Sequence, residues 1–142
     1  MTKVNPYLNF NGNCEEAFNF YSSALGKEVR IMRFKDTPPE ARQGISDKEN
    51  DKVMHCEIVL SEGQSVMGSD IPESFGKATI GQNTAISVEV DSENEVNKIF
   101  EKLSSGGEVT MKPGKAFWGA YFAMCTDKFG IHWMVGYTYP KQ

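Results

Sequence analysis

Two histidines and two glutamates are the side chains of this chain best suited to acid–base chemistry. His55 and Glu57 alternate in the stretch VMHCEIVL, and His132 lies in the stretch IHWMVGYTY. Imidazole changes its charge near neutral pH, so either histidine could act as an acid, a base or a hydrogen-bond donor to a ligand. Glu57 and Glu89 could act as catalytic carboxylates if burial raised their pKa. All four residues could equally be hydrogen-bonded or solvent-facing residues of strands.

The three cysteines show no pattern typical of a catalytic nucleophile. Cys14 falls in the first turn of a predicted helix, where the helix dipole can lower a thiol pKa, but no histidine is near it in sequence. We therefore interpret Cys14 as a small packing residue, and Cys56 and Cys125, which alternate with apolar neighbours, as buried. Three scattered cysteines fit a reducing compartment better than a disulfide framework, so we expect a cytoplasmic protein.

Aromatic side chains are concentrated in the C-terminal third of the chain. Most aromatic residues in strands belong to a core, but some of these could form a flat-walled apolar pocket for a planar ligand. Trp118 lies between Gly114 and Gly119 in a loop-like stretch, which makes it the best pocket candidate among them. The full set is Trp118, Tyr121, Phe122, Trp133, Tyr137 and Tyr139.

Composition and charge argue against several classes of partner. The chain has 142 residues, 39% of them hydrophobic, which is enough for one packed domain. The formal net charge is −4 and no Lys/Arg cluster is present, so we expect no nucleic-acid partner. No apolar run approaches the roughly 18–20 residues of a membrane span, and the N-terminus lacks the apolar stretch of a signal peptide, so we expect no membrane partner.

The first helix is predicted over residues 14–25. Asn13 is of the type that caps helices, Glu16 follows it three positions later as in a capping box, and Gly26 stands where a left-handed residue ends a helix. The apolar residues recur at helical spacing and predict a buried stripe. Its members are Ala17, Phe20, Tyr21, Ala24 and Leu25.

The second predicted helix repeats this pattern about eighty residues later. Ser92 is its predicted N-cap residue, Glu95 completes the capping box, and Gly106–Gly107 ends the helix. Apolar residues at helical spacing again predict one buried stripe, which faces a sheet. Its members are Val96, Ile99, Phe100 and Leu103.

The strand TAISVEV precedes the second helix, and its side chains alternate cleanly between two faces. One face is apolar and is expected to pack on the helix; it carries Ile86, Val88 and Val90. The other face is small and polar, which suits the wall of a cavity better than a core. It carries Ala85, Ser87 and Glu89.

Further strands follow each helix, so one supersecondary unit occurs twice. After the first helix, strands are predicted over residues 27–34, 53–60 and 63–70, with a hairpin turn at Glu62–Gly63. After the second, they are predicted over residues 108–119, 120–127 and 131–139, with DKFG as the last turn. Residues 35–52 lack apolar periodicity and carry two prolines, which predicts a long solvated loop.

The repeat divides a single domain into two modules and a connection. Module one is predicted at about residues 4–70, the linker at about 71–82 and module two at about 83–140. Each module is a βαβββ unit. The predicted fold class is therefore α+β.

The repeated βαβββ pattern resembles the vicinal oxygen chelate superfamily, which includes glyoxalase I, extradiol dioxygenases and bleomycin-resistance proteins. The segments that carry the resemblance are PYLNFNGNCEEAFNFY, VMHCEIVL and KAFWGAYFAMCTDKFGIHWMV, and the closer similarity is to the PhnB-like branch. The resemblance implies that the two modules form a curved mixed sheet, a cup, with the helices on its outer face. It also implies a homodimer, because pairing two chains covers open sheet edges and the mouth of a half-cup.

Some members of this branch carry a family label as a demethylubiquinone methyltransferase. The sequence gives that label little support. It has no glycine-rich strand-to-helix loop of the kind that cradles a nucleoside cofactor, and each half is too short for a doubly wound sheet.

The metal-dependent members of the superfamily place His, Gln or Glu ligands at four points of the cup. The resemblance locates these points at Pro6, at Ala85, at Met134, and around Gly68 and Ser69 with Asp70 nearby. Proline and alanine have no side-chain donor, and a thioether is a poor ligand for Zn²⁺ or Mg²⁺. A slip of one residue would offer Tyr7 or Thr84, which do not complete a typical site. We therefore predict that the metal is absent and that no cofactor is bound.

These observations favour a metal-free protein that binds a small, partly planar molecule in the cavity of a homodimer. Because Met134 marks the cup side of its strand in the resemblance, Trp133 should point into the helix layer. One alternative is a metal-dependent lyase, isomerase or dioxygenase with non-standard ligands such as His55, Glu57 or His132. Another is a metal-free enzyme with His55 or Glu57 as its base. The predicted pocket residues are His55, Glu57, Ala85, Ser87, Glu89, Trp118, His132 and Met134.

Overall fold

The computed structural model describes residues 1–141. Contacts between residues divide the chain into two units, Met1–Thr79 and Ile80–Gln142, called the N-terminal and the C-terminal unit below. Each unit contains a strand, a helix and three further strands, in that order. The predicted α+β class with two βαβββ modules is therefore confirmed. No helix within the described residues is long and apolar enough to cross a membrane.

The N-terminal unit is a four-stranded mixed sheet with one helix on one of its faces. Its strands lie in the order β1-β4-β3-β2; β1 runs parallel to β4, and the other neighbours are antiparallel. The predicted hairpin at Glu62–Gly63 is present between β3 and β4. The elements are β1 Tyr7–Phe10, α1 Cys14–Leu25, β2 Val29–Arg33, β3 Val53–Ser61 and β4 Gln64–Asp70.

The C-terminal unit repeats this architecture. Its strands lie in the order β5-β8-β7-β6; β5 runs parallel to β8, and the other neighbours are antiparallel. The predicted DKFG turn joins β7 to β8, where the Asp127 N–H donates to the Ile131 carbonyl. The elements are β5 Ile86–Glu89, α2 Glu93–Ser104, β6 Glu108–Ala116, β7 Ala120–Thr126 and β8 His132–Thr138.

Helix α1 has the predicted bounds but buries a partly different stripe. Phe18 is fully buried, where it meets Phe10 edge-on with ring centroids 6.1 Å apart, whereas Phe20 and Leu25 are only half-buried. The predicted stripe was therefore wrong at these positions. Both choices fit helical spacing, and the rotation of the helix on the sheet decided between them. The fully or almost fully buried residues are Cys14, Ala17, Phe18, Tyr21 and Ala24.

Asn13 occupies the N-cap position of α1, as predicted, and its carbonyl accepts the Ala17 N–H at 3.1 Å. Its side chain makes no capping hydrogen bond, so the predicted side-chain cap was wrong. Instead, one carboxylate oxygen of Asp70 accepts the backbone N–H groups of Gly12 and Cys14, each at 2.9 Å. At the other end, Gly26 takes the left-handed conformation predicted for it.

Helix α2 follows its prediction closely. The Ser92 hydroxyl accepts the backbone N–H of Glu95 at 3.1 Å, which confirms Ser92 as the cap. Val96, Phe100 and Leu103 are buried, and Ile99 is half-buried. The helix therefore covers one face of its sheet, as its apolar stripe predicted.

The segment between β2 and β3 is more ordered than the predicted solvated loop. It contains three short 3₁₀ turns, at Phe34–Asp36, Pro39–Arg42 and Asp47–Glu49. The Glu49 side chain is buried and lies 2.9 Å from the Lys52 ammonium. The prediction of a solvated loop relied on missing apolar periodicity, and neither short 3₁₀ turns nor an ion pair produces such a period. The order of this segment was therefore not visible in the sequence pattern.

Candidate functional site

Each sheet has one face packed on its own helix and one face turned away from that helix, called the open face here. Strand pairing assigns side chains to these faces, because directly opposite residues of neighbouring strands point to the same side. Trp133 is fully buried on the helix-facing side, where its Nε1–H donates to the Asp127 carboxylate at 2.8 Å. The prediction that Trp133 points into the helix layer is therefore confirmed, and its neighbour Met134 lies on the open face.

The open face of the N-terminal unit carries His55 and Glu57, as their alternation in β3 predicted. Tyr7 lies opposite Met67, and Met67 lies opposite Glu57, so these three side chains form one row across β1, β4 and β3. His55 lies opposite Met32 of the edge strand β2. His55 therefore lies opposite one methionine, Met32, and shares its face with a second, Met67, and the sequence predicted neither as a pocket residue.

Tyr7 and His55 form a hydrogen-bonded pair on this face. The Tyr7 hydroxyl lies 3.1 Å from His55 Nδ1, and the two rings are tilted with centroids 5.6 Å apart. Imidazole nitrogen is a better acceptor than a phenol oxygen, so we assign the Tyr7 hydroxyl as the donor and Nδ1 as the acceptor. The ring proton of His55 is then on Nε2, which has no hydrogen-bond partner among residues 1–141.

His132 is the contrasting case, although it also lies on an open face. Its Nδ1 is 2.8 Å from the Thr126 hydroxyl, and its Nε2 is 3.2 Å from the Gly81 carbonyl oxygen. A neutral imidazole with its proton on Nε2 satisfies both contacts, since it donates to Gly81 and accepts from Thr126. Both ring nitrogens are thus engaged in holding the residues before β5 against β8.

A row of thioethers crosses the open face of the C-terminal unit. Met134 in β8 lies opposite Met124 in β7, which in turn lies opposite Met111 in the edge strand β6. The pairing of β6 with β7 shifts on both sides of Met111, which is how this residue comes to face Met124. Ser87 in β5 completes the row next to Met134.

The remaining predicted pocket residues of this unit lie around that row. Trp118 is at the tip of the β6–β7 hairpin, 54% exposed, and its ring meets Phe122 of the open face edge-on with centroids 5.2 Å apart. Glu89 lies opposite Gly136, which lies opposite Phe122. Ala85 is exposed just before β5. The predicted pocket residues therefore fall into two groups, one on each unit.

The four positions expected to hold metal ligands lack a convergent set of hard donors. The Asp70 carboxylate is buried and accepts three backbone N–H groups, the third from Val53 at 3.0 Å, so its oxygens serve helix α1 and strand β3. A side chain at Gly68 would point toward the Phe18 ring on the helix-facing side, so this position offers no ligand to the open face. Within residues 1–141, no group of three His, Cys, Asp or Glu side chains is placed to hold an ion. The residues present do not fit the divalent metal of the superfamily.

The three thiols are buried, as the sequence predicted. The sulfurs of Cys14 and Cys56 lie 3.5 Å apart as free thiols. The hydrogen bond to Cys56 and then burial raise the pKa of Cys14 far above its usual value. Burial, followed by the Asp127 charge, raises the pKa of Cys125 to about 11.

Two mixed sheets, each with a helix on one face, define a glyoxalase-like α+β protein, and glyoxalase-related proteins of known structure share this fold at under 25% identity. The family model described as 3-demethylubiquinone-9 3-methyltransferase matches residues 2–136. The chain therefore belongs to this family, the PhnB-like branch of the vicinal oxygen chelate superfamily. The resemblance found in the sequence is confirmed.

Three relatives are similar over nearly the whole chain. Protein PA1353 from Pseudomonas aeruginosa is 37% identical, with 97% of this chain and 98% of that chain covered and a TM-score of 0.84. The PhnB protein from Bacillus cereus, a putative 3-demethylubiquinone-9 3-methyltransferase, is 26% identical, with 96% and 100% covered and a TM-score of 0.73. Protein YjdN of Escherichia coli (strain K12) is 30% identical over 139 residues, 93% of this chain and 92% of YjdN.

Proposed function

We propose that this protein binds a small, partly planar molecule without a metal, on the open faces of its sheets, and that it acts as a homodimer. The observation that carries the proposal is the placement of methionines. Five of the seven methionines have their side chains on open faces, and none of these five is fully buried. They are Met32, Met67, Met111, Met124 and Met134.

Methionine suits such a surface for physical reasons. Its side chain is unbranched and polarizable, so it adapts to flat or irregular ligands and makes favourable contacts with aromatic rings. Trp118 and Phe122 add rigid aromatic walls beside the thioether row of the C-terminal unit. Apolar surface of this kind with a few polar groups, here Tyr7, His55 and Glu57, is typical of small-molecule sites.

The homodimer is supported by the edges of the sheets. The nine-residue strand β6 is an edge strand of its sheet, and Val109 and Met111 are exposed along it. Phe117, at the tip of the following hairpin, is 97% exposed. Unpaired edges and exposed apolar side chains favour association, and a second copy of the chain is the partner that is always present.

The methyltransferase description of the family does not determine the activity proposed for this chain. Methyl transfer from a nucleoside cofactor needs a site for that cofactor. The usual site is a glycine-rich turn between a strand and a helix of a parallel sheet. Each sheet here has a single parallel pair, β1 with β4 and β5 with β8. We therefore propose binding rather than methyl transfer.

The binding proposal is tested with prodan, a flat naphthalene ketone whose fluorescence moves to shorter wavelength in apolar surroundings. We expect saturable binding to the native protein. We expect the double variant Met124→Gln/Met134→Gln to bind about tenfold more weakly, since about 50 Å² of apolar contact at about 25 cal/mol per Å² is about 1.3 kcal/mol. Val4→Gln, which changes an exposed apolar residue before β1 and outside the β6 edge, is the matched control. Equal affinity in all three proteins would contradict the proposal.

Elemental analysis of the same preparation distinguishes the proposed metal-free binding from the alternative of a metal-dependent enzyme. The proposal expects prodan affinity and thermal stability to be unchanged after treatment with a chelator. A stoichiometric Zn, Ni, Mn or Fe ion would favour the metal-dependent enzyme if its removal abolished an activity or ligand binding. Its ligands would then be sought first at His55, Glu57 and His132.

A second candidate function is a metal-free enzyme in which His55 acts as an acid or hydrogen-bond donor to the substrate, since the hydrogen bond from Tyr7 to Nδ1 leaves the Nε2–H group available. A partner on one ring nitrogen fixes the tautomer and orientation of a catalytic histidine. The test is to incubate the protein and a His55→Ala variant with a small-molecule extract and to compare the products by mass spectrometry. A product formed by the native protein alone, at equal folded stability of the two proteins, would support the enzyme.

A further inference from the structure

We infer that Tyr7 and His55 form a hydrogen-bonding subsite that holds an uncharged carbonyl oxygen of a planar ligand. The inference rests on the proposed small-molecule binding and narrows its ligand class. It starts from the 3.1 Å contact between the Tyr7 hydroxyl and His55 Nδ1, and from the Nε2 atom that this contact leaves without a protein partner within residues 1–141.

With the Tyr7 hydroxyl assigned as the donor to Nδ1, the pair presents a donor and not an acceptor to a ligand. When the Tyr7 hydroxyl donates to Nδ1, the neutral ring carries its proton on Nε2. If the ring gains a second proton, Nδ1–H donates to the phenol oxygen and Nε2 still carries a proton. In both states His55 offers an N–H group, so the matching ligand atom is an acceptor such as a carbonyl oxygen.

The surroundings of the donor fit a planar apolar body next to that oxygen. Met32 lies directly opposite His55 on the edge strand β2. On the other side of β3, Met67 lies on β4, opposite Tyr7 of β1. Both methionines are partly exposed on the open face. A ligand with its oxygen on Nε2 would therefore lay its flat part on thioethers, which contact aromatic faces and edges favourably.

Charge on the same face favours a neutral oxygen over a carboxylate. Glu57 is two residues from His55 in β3, so the two side chains share the face, and its carboxylate would repel an anionic ligand. Arg30 lies opposite Glu57 on the exposed edge strand, but the two side chains form no ion pair in the described part of the chain. A ketone or amide oxygen accepts the hydrogen bond from His55 without this electrostatic repulsion.

Affinity for prodan and its emission test the subsite, because a hydrogen bond to the prodan carbonyl moves its emission to longer wavelength. We expect His55→Leu to bind prodan about fivefold more weakly, which is the usual net contribution of one neutral hydrogen bond. The emission of prodan bound to this variant should move to shorter wavelength. His55→Gln, which keeps an N–H donor near the Nε2 position, should restore most of both properties. Asn19→Ala, an exposed substitution in helix α1, which covers the opposite face of the sheet, is the control and should change neither.

Three further ligands test the hydrogen bond and the charge argument. Naphthoate, which carries a carboxylate, and ethylnaphthalene, which carries no oxygen, should compete with prodan more weakly than acetylnaphthalene does. In His55→Leu the advantage of acetylnaphthalene over ethylnaphthalene should disappear. If naphthoate binds best, the subsite is an anion site and the inference is wrong.

Tyr7 acts in this scheme as a positioning residue, and nitrogen NMR of the imidazole tests that role directly. The native protein should show His55 with its proton on Nε2. Tyr7→Phe should give a mixture of tautomers, with intermediate nitrogen shifts at His55 and unchanged shifts at His132. Unchanged His55 shifts in Tyr7→Phe would overturn the role of the hydroxyl.

The outcomes separate this inference from the proposed function. If prodan binds, and its affinity and emission are the same in the native protein and in His55→Leu, the carbonyl subsite is wrong while binding on the open faces stands. If prodan and the naphthalene ligands bind to neither protein, the proposed function itself fails. A Met124→Gln/Met134→Gln effect without any His55 effect would place the ligand on the C-terminal unit alone and would also overturn the subsite.

Discussion

The two histidines of this chain differ in what their ring nitrogens bind. His132 has both nitrogens engaged, with Thr126 and Gly81, whereas His55 has one nitrogen on the Tyr7 hydroxyl and the other without a protein partner in the described part of the chain. A histidine with a free nitrogen can exchange protons or bind a ligand. A histidine with two internal partners contributes to structure. This difference makes His55 the better functional candidate of the two.

The thiols should be inert in the folded protein. With the pKa of Cys125 at about 11, only about one thiol in a thousand is ionised at pH 8, and the pKa of Cys14 is raised still further from its usual value. We expect Ellman's reagent to label none of the three cysteines at pH 8 under native conditions and all three in guanidinium chloride. Rapid labelling of one thiol without unfolding would contradict the buried placement of the cysteines.

At the scale of elements, each helix depends on groups contributed by the sheet beneath it. Helix α1 begins at an Asp70 carboxylate that belongs to the end of β4, 56 residues from Cys14 in sequence. The same carboxylate binds the Val53 N–H at the start of β3. Asp70 thus ties the helix to two strands, while Ser92 caps α2 from its own chain segment.

Substitution of Asp70 should therefore destabilise the N-terminal unit strongly. Asp70→Ala leaves three backbone N–H groups without their acceptor, and we expect a loss of about 3 kcal/mol or more in the free energy of unfolding. Asp70→Asn keeps one acceptor oxygen and should cost about half as much. Urea unfolding followed by circular dichroism measures both. Asn13→Ala, which removes a side chain that makes no capping bond, is the control and should cost less than about 0.5 kcal/mol.

The contact between α1 and its sheet is close enough to require a glycine. A methyl group on Gly68 would lie 2.6 Å from the Phe18 ring and 2.8 Å from the Leu8 carbonyl oxygen. Gly68→Ala should therefore destabilise the protein by about 2 kcal/mol, because the helix and β1 must both move. Gly114→Ala in β6, whose added methyl group has its nearest neighbour at 4.0 Å, should be nearly neutral. Equal thermal stability of the two variants would contradict the packing of Phe18 on β4.

On the scale of the whole molecule, four of the eleven exposed large apolar side chains of the described residues lie at one sheet edge and its hairpin. The β6 edge and the hairpin that follows it carry Val109, Met111, Phe117 and Trp118, all substantially exposed. The net charge of −4 is small for 142 residues and opposes association only weakly. These features underlie the proposed homodimer.

Light scattering after size exclusion should accordingly give about 32 kDa, twice the 15.9 kDa of one chain. Phe117→Glu should shift the protein toward the monomer, because a charge would be buried in the interface, and should leave the monomer's secondary structure unchanged. Val4→Glu, an exposed apolar position before β1, is the comparison. A monomer at all concentrations for the native protein would rule out the homodimer.

Local patterns in the sequence determined the elements and their order. Periodicity and capping residues located both helices, alternation located the strands, and the glycine-containing turns located the hairpins, because each signal depends on residues within a few positions of one another. The class of fold followed from the repeat of these elements. Ser92 and Gly26, whose roles are local, were assigned correctly.

Only the tertiary structure decided which residues meet across the sheets. Tyr7 and His55 are 48 residues apart in sequence. Asp70 is 56 residues from Cys14, whose N–H it accepts at the start of α1. Met111 faces Met124 because the register shifts on both sides of it. Rotation of α1 on the sheet chose Phe18 over Phe20. Strand register and helix rotation are set by packing between distant segments, which no short stretch of sequence encodes.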